Sequence, residues 1–426
     1  MNEINQLLEI FLKSTGVTID SRNIIQGNLF FALKGEKSDG NNFAASAIEK
    51  GAIAVIDNKD FFVEEKTILV DDCLEALQEL AKAYRSQLII PVIGLTGSNG
   101  KTTTKELMHA VLSKKYNTFA TKGNLNNHIG VPLSILSIKK EHDIAVIEMG
   151  ANHQKEIEFL CSIAQPTHGL ITNIGLAHLE GFGGPEGVKK GKAELFDYIK
   201  KTNGIIFANS GEKKLDDVYQ GYEKIISYGL NGDEDFTAKI ISNEQFAVVE
   251  INQTEIRSQL IGNYNADNLI AAACVGNYFG VDLSSIKSAI ENYIPSNNRS
   301  EFRKIGENYF ILDAYNANPS SMKAALDNFA AFPAEHKIAV LGDMLELGDY
   351  AVEEHKKIYD LAIASKFEEV IFVGPVFLNI AKAGHGIKIF ADSASASVYF
   401  KNKNVAGKYI LLKGSRGIKL EKIIGS

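Results

Sequence analysis

The chain has 426 residues, 45% of them apolar, and a formal net charge of −7. That length is too great for one ordinary core and predicts two or three domains. Acids and bases are interspersed, and the acidic balance excludes an electrostatic nucleic-acid binder, which needs a basic face. Cys73, Cys161 and Cys274 are widely separated, with no CxxC or Cys/His spacing. They read as reduced, mostly buried thiols of a cytoplasmic protein. The opening MNEINQLLEIFLKSTG lacks the basic start, long apolar core and small-residue cleavage site of a targeting peptide. No apolar run reaches the roughly 18 residues of a membrane span.

Residues 1–88 read as a small α/β unit. A short helix comes first, then a strand in NLFFALKG, a helix in AASAIEKGA, a strand in IAVID and a helix in CLEALQELAKAYRSQL. Pro91 opens a second unit, 89–296, with the apolar strand PVIGL. IAVIEMG and HGLITNIG are continuous apolar runs, as expected of strands buried on both faces of a parallel sheet. From Gly229 to Ile261, alternating runs such as FAVVEIN predict a few antiparallel strands appended to that sheet. NADNLIAAACVGNYFG predicts a helix ending at a capping Gly280. IPSNNRSEF reads as a linker. A third α/β unit, 297–426, follows, with strands in YFILDAYN, HKIAVLGD, EEVIFVG and KYILLKG. The run from Ser393 to Ser397 reads as the start of a helix. The expected fold class is α/β in three domains: a small substrate domain, a central mononucleotide-binding parallel sheet and a Rossmann-like third domain.

The passage VIGLTGSNGKTTTKELMHAVL is a strand, a glycine turn and an amphipathic helix. Thr96, Gly97, Ser98, Asn99, Gly100, Lys101, Thr102 and Thr103 form the turn. Its glycines free backbone N–H groups to approach phosphate oxygens, and the helix adds its positive end. Lys101 is placed to reach the β- and γ-phosphates of ATP, and the Thr102 hydroxyl to face Mg²⁺. The full Walker pattern wants a further glycine where Leu95 stands. What remains is TGxxGKTTT, in the strand-to-helix setting that the mechanism requires.

Phosphoryl transfer needs metal ligands at the carboxyl ends of neighbouring strands. Glu148 ends IAVIEMG and His178 follows HGLITNIG. Taken singly, Glu148 reads equally well as a solvated strand-end acid, and His178 better as a structural histidine. Together with the loop, both become site residues. Lys192, in VKKGKAELF, reads from its neighbours as a surface lysine.

Several segments fall into one ordered pattern: TGSNGKTTT, TKGNLNNHIGVPLSIL, IEMGANHQKEI, ITNIGLAHLEGFGG, GNYNADNLIAAA, DAYNANPSSM, VLGDMLELG and LLKGSRG. This order resembles that of the Mur ligases over essentially the whole chain. DSRNIIQGNLFFALKGEKSDGNNF is similar to that family's UDP-binding N-terminal domain. The resemblance implies ATP-dependent joining of D-alanyl-D-alanine to UDP-N-acetylmuramoyl-tripeptide through an acyl phosphate, giving a peptidoglycan precursor. It also implies a cytoplasmic monomer with small-molecule substrates, no nucleic-acid partner and no membrane insertion. Residue by residue, it puts Lys101 and Thr102 on the nucleotide phosphates and a first Mg²⁺. Glu148 and His178 become metal-linked residues. Lys192 becomes a lysine carbamylated by CO₂ that holds a second Mg²⁺. Asn268 falls on an adenine contact, Asp313, Tyr315 and Asn316 on ribose and base contacts, and Arg299 on a nucleotide-contacting hinge arginine. Ser21 and Arg22 resemble the start of the uridine-nucleotide site. Asn126, Asn127 and His128 resemble the segment facing the muramoyl part, although the family often has an acid where His128 stands. Lys413, Ser415 and Arg416 resemble residues facing the cleft from the third domain.

A folylpolyglutamate synthetase shares the ATP core and C-terminal domain but lacks a separate DSR-containing domain before the loop. Another Mur ligase is a nearer rival, against which NLNNHIGVP and DAYNANPSSM count. A nucleotide-driven switch that only binds at the loop leaves the third domain and Lys192 without a role.

Overall fold

The computed structural model describes residues 3–241, 245–295, 299–403 and 406–424. The first unit is built on a four-stranded parallel sheet of β1 (Val17–Thr18), β2 (Leu29–Phe31), β3 (Ile53–Ile56) and β4 (Thr67–Leu69), in that order. The strand expected over NLFFALKG stops at Phe31, because Lys34–Gly35 pairs back on Ser38–Asp39 as a short hairpin. Helix α1 (Glu3–Lys13) and helix α2 (Cys73–Arg85) pack together through the rings of Phe11 and Tyr84, 4.9 Å apart. Asp72 caps α2 by accepting from Glu75 N–H.

The second unit is a seven-stranded parallel sheet. Its strands are β5 (Val92–Thr96), β6 (Thr118–Ala120), β7 (Ile144–Glu148), β8 (His168–Ile171), β9 (Ile205–Asn209), β10 (Ile225–Gly229) and β11 (Phe236–Thr237). Their spatial order is β11-β10-β9-β8-β5-β7-β6, so β5 lies near the middle with β7 and β8 beside it. Every residue of β5 and β7 is buried. Alternation splits their side chains between two cores. Val92, Ala145 and Ile147 join a core shared with α2, while Ile93, Leu95, Ile144 and Val146 face the opposite one.

That opposite core includes helix α3 (Lys101–Leu112) and helix α6 (Ala266–Tyr278). On the first side, α4 (Leu179–Phe182) and α5 (Pro185–Lys201) follow β8. Gly280, at φ +71°, ends α6 as expected. Its N–H reaches Asn277 O, and Val281 N–H reaches Gly276 O.

The antiparallel strands predicted from Gly229 to Ile261 exist, but they are not appended to the parallel sheet. β12 (Lys239–Ile240), β13 (Phe246–Ile251) and β14 (Thr254–Ile261) form a separate three-stranded sheet. It packs on α6 and α7 (Leu283–Glu291), whose apolar faces Ala247, Val249, Ile256 and Leu260 cover. Burial of that face decides its place; edge pairing with β11 would leave the face in water.

The third unit holds a six-stranded sheet of β15 (Glu301–Ile305), β16 (Asn308–Asp313), β17 (Lys337–Gly342), β18 (Glu369–Val373), β19 (Ile387–Phe390) and β20 (Tyr409–Lys413). Its order is β15-β16-β20-β17-β18-β19, parallel except for the β15–β16 hairpin. Part of the expected linker, residues 296–298, lies outside the described residues. Glu301 and Phe302, read as linker, begin β15 instead. A helix does start at Ser393, capped by Asp392. Helices α8 (Pro319–Ala331) and α9 (Ala351–Ala364) cover the sheet. Asn318 and Ser321 close a reciprocal capping box at the start of α8, with Pro319 in its first turn.

Candidate active site

The carboxyl ends of β5, β7 and β8 open onto a cavity of about 760 Å³ whose far wall is the third unit. The central unit brings Ser98–Thr103, Asn126, Asn127, His128, Glu148, His178 and Asn268 to it; Arg299, Asp313, Tyr315, Asn316 and Lys413 come from beyond residue 296. Residues far apart in sequence, most of them expected at the site, therefore share one polar cleft.

The loop is tightly seated. Gly97 has φ +143°, and a Cβ there would stand 2.0 Å from Thr172 Oγ1. Gly100, at φ +79°, passes so close to Asn268 that a Cβ would stand 2.4 Å from its Oδ1. Only glycine fits either place. Asn99 is held by Asn173, whose Oδ1 accepts from Asn99 N–H at 3.0 Å. Thr96 is fully buried inside β5, with its hydroxyl on Met149 O at 2.7 Å, so it anchors the loop and does not line the cleft. Lys101 Nζ curls back to donate to Gly97 O at 2.7 Å and Ser98 O at 3.2 Å. Burial draws its pKa down to about 8; Glu148 opposes the fall and Arg299 adds to it.

Glu148 is not a solvated strand-end acid: it is 1% exposed. Its Oε1 accepts from Asn126 Nδ2 at 2.8 Å and from Thr102 Oγ1 at 3.2 Å. Its Oε2 is buried and accepts no hydrogen bond, although Lys105 Nζ lies 3.5 Å away. A carboxylate oxygen left without a hydrogen bond beside a hydroxyl, at the edge of a phosphate loop, suits a hard cation. His178 has φ +53° and caps α4, with Nδ1 against a carboxylate oxygen of Glu346. The imidazole beside it holds Glu346 below the usual carboxylate range.

Lys192 corrects the surface reading. It is 1% exposed, on the face of α5 that also buries Val188 and Leu195. Its Nζ donates to Ala151 O at 3.0 Å and lies over the Phe182 ring at 4.9 Å. Ala151 lines the cleft, so the amine sits one layer behind the wall. Burial pushes its pKa well below the ordinary lysine value, with Lys101 adding and Glu156 and Glu194 opposing. Its neighbours in sequence are charged, but α5 turns this one position inward.

Asn268 lines the cleft with both ends of its amide engaged: Oδ1 accepts from Thr104 Oγ1 at 2.9 Å, and Nδ2 donates to Asn265 Oδ1 at 2.9 Å. Across the cleft, Lys413 Nζ pairs with Asp313 at 2.7 Å and donates to Asn316 O at 3.0 Å. The Arg299 guanidinium stacks 3.6 Å over the Tyr315 ring, and Arg416 approaches the same ring at 5.1 Å. Arg416 is thus beside the cleft and exposed, touching it through Tyr315.

Like Arg416, three further expected substrate positions are not part of this wall. Ser415 is 4% exposed and accepts from Leu345 N–H at 3.0 Å, so it stitches two loops of the third unit. Ser21 and Arg22 lie in the first unit, where Arg22 is 86% exposed and pairs with Asp20. Asn127 lines the cleft, but its Oδ1 caps the following helix by accepting from Gly130 N–H at 2.8 Å. His128 is exposed and gives its carbonyl to Gln78 at 3.0 Å, which ties the first unit to the cleft rim.

Sequence reasoning missed Lys105, Asn173, Asn318 and Glu346. Lys105 stands one helical turn after Lys101, a spacing that places both on one face. Asn318 Nδ2 donates to Asn99 Oδ1 at 2.7 Å and so joins the third unit to the loop. Asn173, Asn318 and Glu346 lay inside quoted segments, but nothing local marked them.

A glycine loop at the carboxyl edge of a parallel sheet, facing a second α/β wall across a polar cleft, defines a nucleotide-binding α/β enzyme. The chain belongs to the Mur ligase family. Residues 13–85 match the model of the Mur ligase family catalytic domain, 95–276 the Mur ligase middle domain, and 298–416 the Mur ligase glutamate ligase domain. The UDP-N-acetylmuramoyl-tripeptide--D-alanyl-D-alanine ligase of Bacillus subtilis is 36% identical over 96% of this chain and 92% of its own. A crystal structure of MurF from Acinetobacter baumannii, 31% identical, superposes with a TM-score of 0.87 over 99% of this chain and 97% of that one. The MurF ligase of Thermotoga maritima in complex with ADP is 27% identical, with a TM-score of 0.83 over 97% of each chain.

Proposed function

We propose that the chain is an ATP-dependent ligase that joins D-alanyl-D-alanine to UDP-N-acetylmuramoyl-tripeptide. Beside the family relationship, one observation carries this reading: the phosphate loop, a buried carboxylate and a second α/β wall enclose a single polar cavity. Residues 1–88 then serve as the UDP-substrate domain, 89–296 as the ATP-binding domain and 297–426 as the third ligase domain. The three free, buried thiols fit a reducing cytoplasm.

A carboxylate is a poor electrophile, and transfer of the γ-phosphoryl group makes it an acyl phosphate with a good leaving group. The amine of D-alanyl-D-alanine then attacks the acyl carbon. The loop amides and Lys101 hold the β- and γ-phosphates of ATP and meet the charge developing on them. The Lys101 hydrogen bonds to Gly97 O and Ser98 O keep the ammonium over the loop. Arg299 and Tyr315 offer a stacked cationic and aromatic surface for the nucleotide, with Asp313 and Asn316 beside it. Asn268 supports the loop from behind and faces the base. Asn126, Asn127 and His128 border the opposite end, toward the muramoyl tripeptide, and Ser21 and Arg22 remain for its uridine end.

Glu148 and Thr102 fit Mg²⁺, with remaining positions open to water and phosphate oxygens. When bound, Mg²⁺ neutralises phosphate charge and polarises the transferred group. Lys192 fits carbamylation, because CO₂ reacts with a neutral amine and burial favours that form. The carbamate, with His178, would hold a second Mg²⁺.

The test is product formation by the purified enzyme. Phosphate release is expected only when UDP-N-acetylmuramoyl-tripeptide and D-alanyl-D-alanine are both present. Release with a folyl substrate and glutamate instead overturns the proposal, as does hydrolysis without any ligated product.

A further inference from the structure

Glu346 follows β17 in the segment DMLEL, far in sequence from the phosphate loop. Its φ of +64° lies in the left-handed region that side-chain-bearing residues seldom adopt. The surrounding chain holds it there. His355 is fully buried, and its Nε2 accepts from Met344 N–H at 2.9 Å. With Nε2 accepting, the ring proton sits on Nδ1, which faces Ala351 O at 2.7 Å. Ser415 Oγ accepts from Leu345 N–H at 3.0 Å. On the far side, Glu346 O accepts from Glu180 N–H of the central unit at 3.3 Å. The carboxylate delivered by this arrangement ends on His178 Nδ1. His178 is itself held at φ +53° and lines the cleft, as Glu346 does.

We propose that Glu346 is a positioning residue for the ligase reaction: from the third unit it accepts the Nδ1–H of His178, which leaves Nε2 as the ring nitrogen free for ligands in the cleft. The inference rests on the ligase reading above. A carboxylate behind a histidine fixes its tautomer and ring plane, so the lone pair of the free nitrogen meets a cation already aimed. Because the carboxylate and the ring belong to different units, His178 is oriented only when the third unit is docked. Ligand engagement at His178 and domain placement are thus coupled through this one contact.

Two measurements test this. In ¹⁵N-histidine spectra, with His178 assigned by H178Q, the wild-type ring is expected as the Nδ1–H tautomer, and E346A is expected to move it to mixed or Nε2–H form. In steady-state ligation, E346A is expected to lower kcat by roughly 10- to 100-fold, the usual cost of losing such a partner. KM for D-alanyl-D-alanine should stay within about threefold. E346Q, whose amide oxygen still accepts the hydrogen bond, should recover most of the loss. In an H178A background, E346A should cost less than about twofold more, since the two residues act as one unit. An unchanged tautomer in E346A, or an equal loss in the H178A background, overturns the proposal. If the wild-type enzyme makes no ligated product, the ligase reading fails, and the ring spectra still decide whether Glu346 sets the tautomer.

Discussion

Lys105 and Glu148 are each only 2% exposed at the side chain, and they balance each other inside the central unit. Removing the acid strands a buried ammonium whose other contact is Gly123 O at a long 3.4 Å. Glu148→Ala is therefore expected to destabilise the fold by about 3–5 kcal/mol, as breaking one side of a buried pair does. Urea unfolding measures it, and adding Lys105→Met should return much of the loss; a single-variant cost under about 1 kcal/mol would contradict the burial argument. Lys192 behaves differently, because among the described residues no acid forms an ion pair with it and its pKa falls with burial. Lys192→Ala is expected to lower kcat by about 100-fold or more, while nucleotide affinity changes less than about threefold. A parallel loss of both would assign Lys192 to nucleotide binding instead.

The turn between β5 and α3 depends on backbone shape as much as on charge. Gly97→Ala would push a methyl into Thr172 Oγ1, which already donates to Asn99 O at 2.6 Å. The loop must shift, and titration calorimetry should show ADP binding weakened by about tenfold or more. Unchanged affinity would mean that the loop tolerates the displacement. At the other end of β8, His168 is buried among Phe207, Tyr278 and Phe279, and burial lowers its pKa from 6.5 to about 4. The fold thus keeps this ring neutral while the unfolded chain takes up a proton below pH 6.5. Stability from this source is intact above pH 6.5 and falls progressively toward pH 4, by up to about 3 kcal/mol. His168→Phe should flatten that part of the acid limb. Unfolding at pH 7 and pH 4.5 reads it, and equal acid sensitivity in both proteins would count against it.

The central and third units share one cleft, the first unit is tied to its rim, and contacts cross between all three. Arg85 of the first unit donates to Ala164 O and Gln165 O, and Tyr84 OH to Ile138 O. The third unit reaches the loop through Asn318 and reaches Leu176 N–H through Ser320 Oγ at 2.9 Å. In the first set the Arg85–Ala164 and Tyr84–Ile138 bonds are buried, whereas the second set is polar and borders the cleft. The third unit is therefore the one expected to move. Closing it over ATP and the acyl phosphate excludes water that would hydrolyse the intermediate. Small-angle scattering should show a smaller radius of gyration with nucleotide, Mg²⁺ and UDP-substrate together than without them. Superimposable profiles would leave closure without support.

Much of this molecule is legible in the sequence because the signals are local. Apolar runs mark β5, β7 and β8, and TGSNGKTTT marks a phosphate turn even with Leu95 in place of the expected glycine. The ordered motifs point to the Mur ligases before any coordinates are considered. Other features depend on which face is buried, and periodicity within one segment does not report that. The antiparallel strands went to their own sheet because α6 and α7 needed cover. Lys192 went inward because α5 lies on the sheet through that face, against everything its charged neighbours imply. Ser415 sits in a motif that faces the cleft, yet its hydroxyl turns to Leu345 N–H. Glu346 gained its place only through a left-handed backbone and hydrogen bonds from residues before and after it. The sequence by itself determined the family, the strand–turn–helix form of the loop and the alternation of strands and helices. The tertiary structure alone decided which charges are buried and which residues meet across the units, because burial and contact between distant segments are properties of the assembled chain.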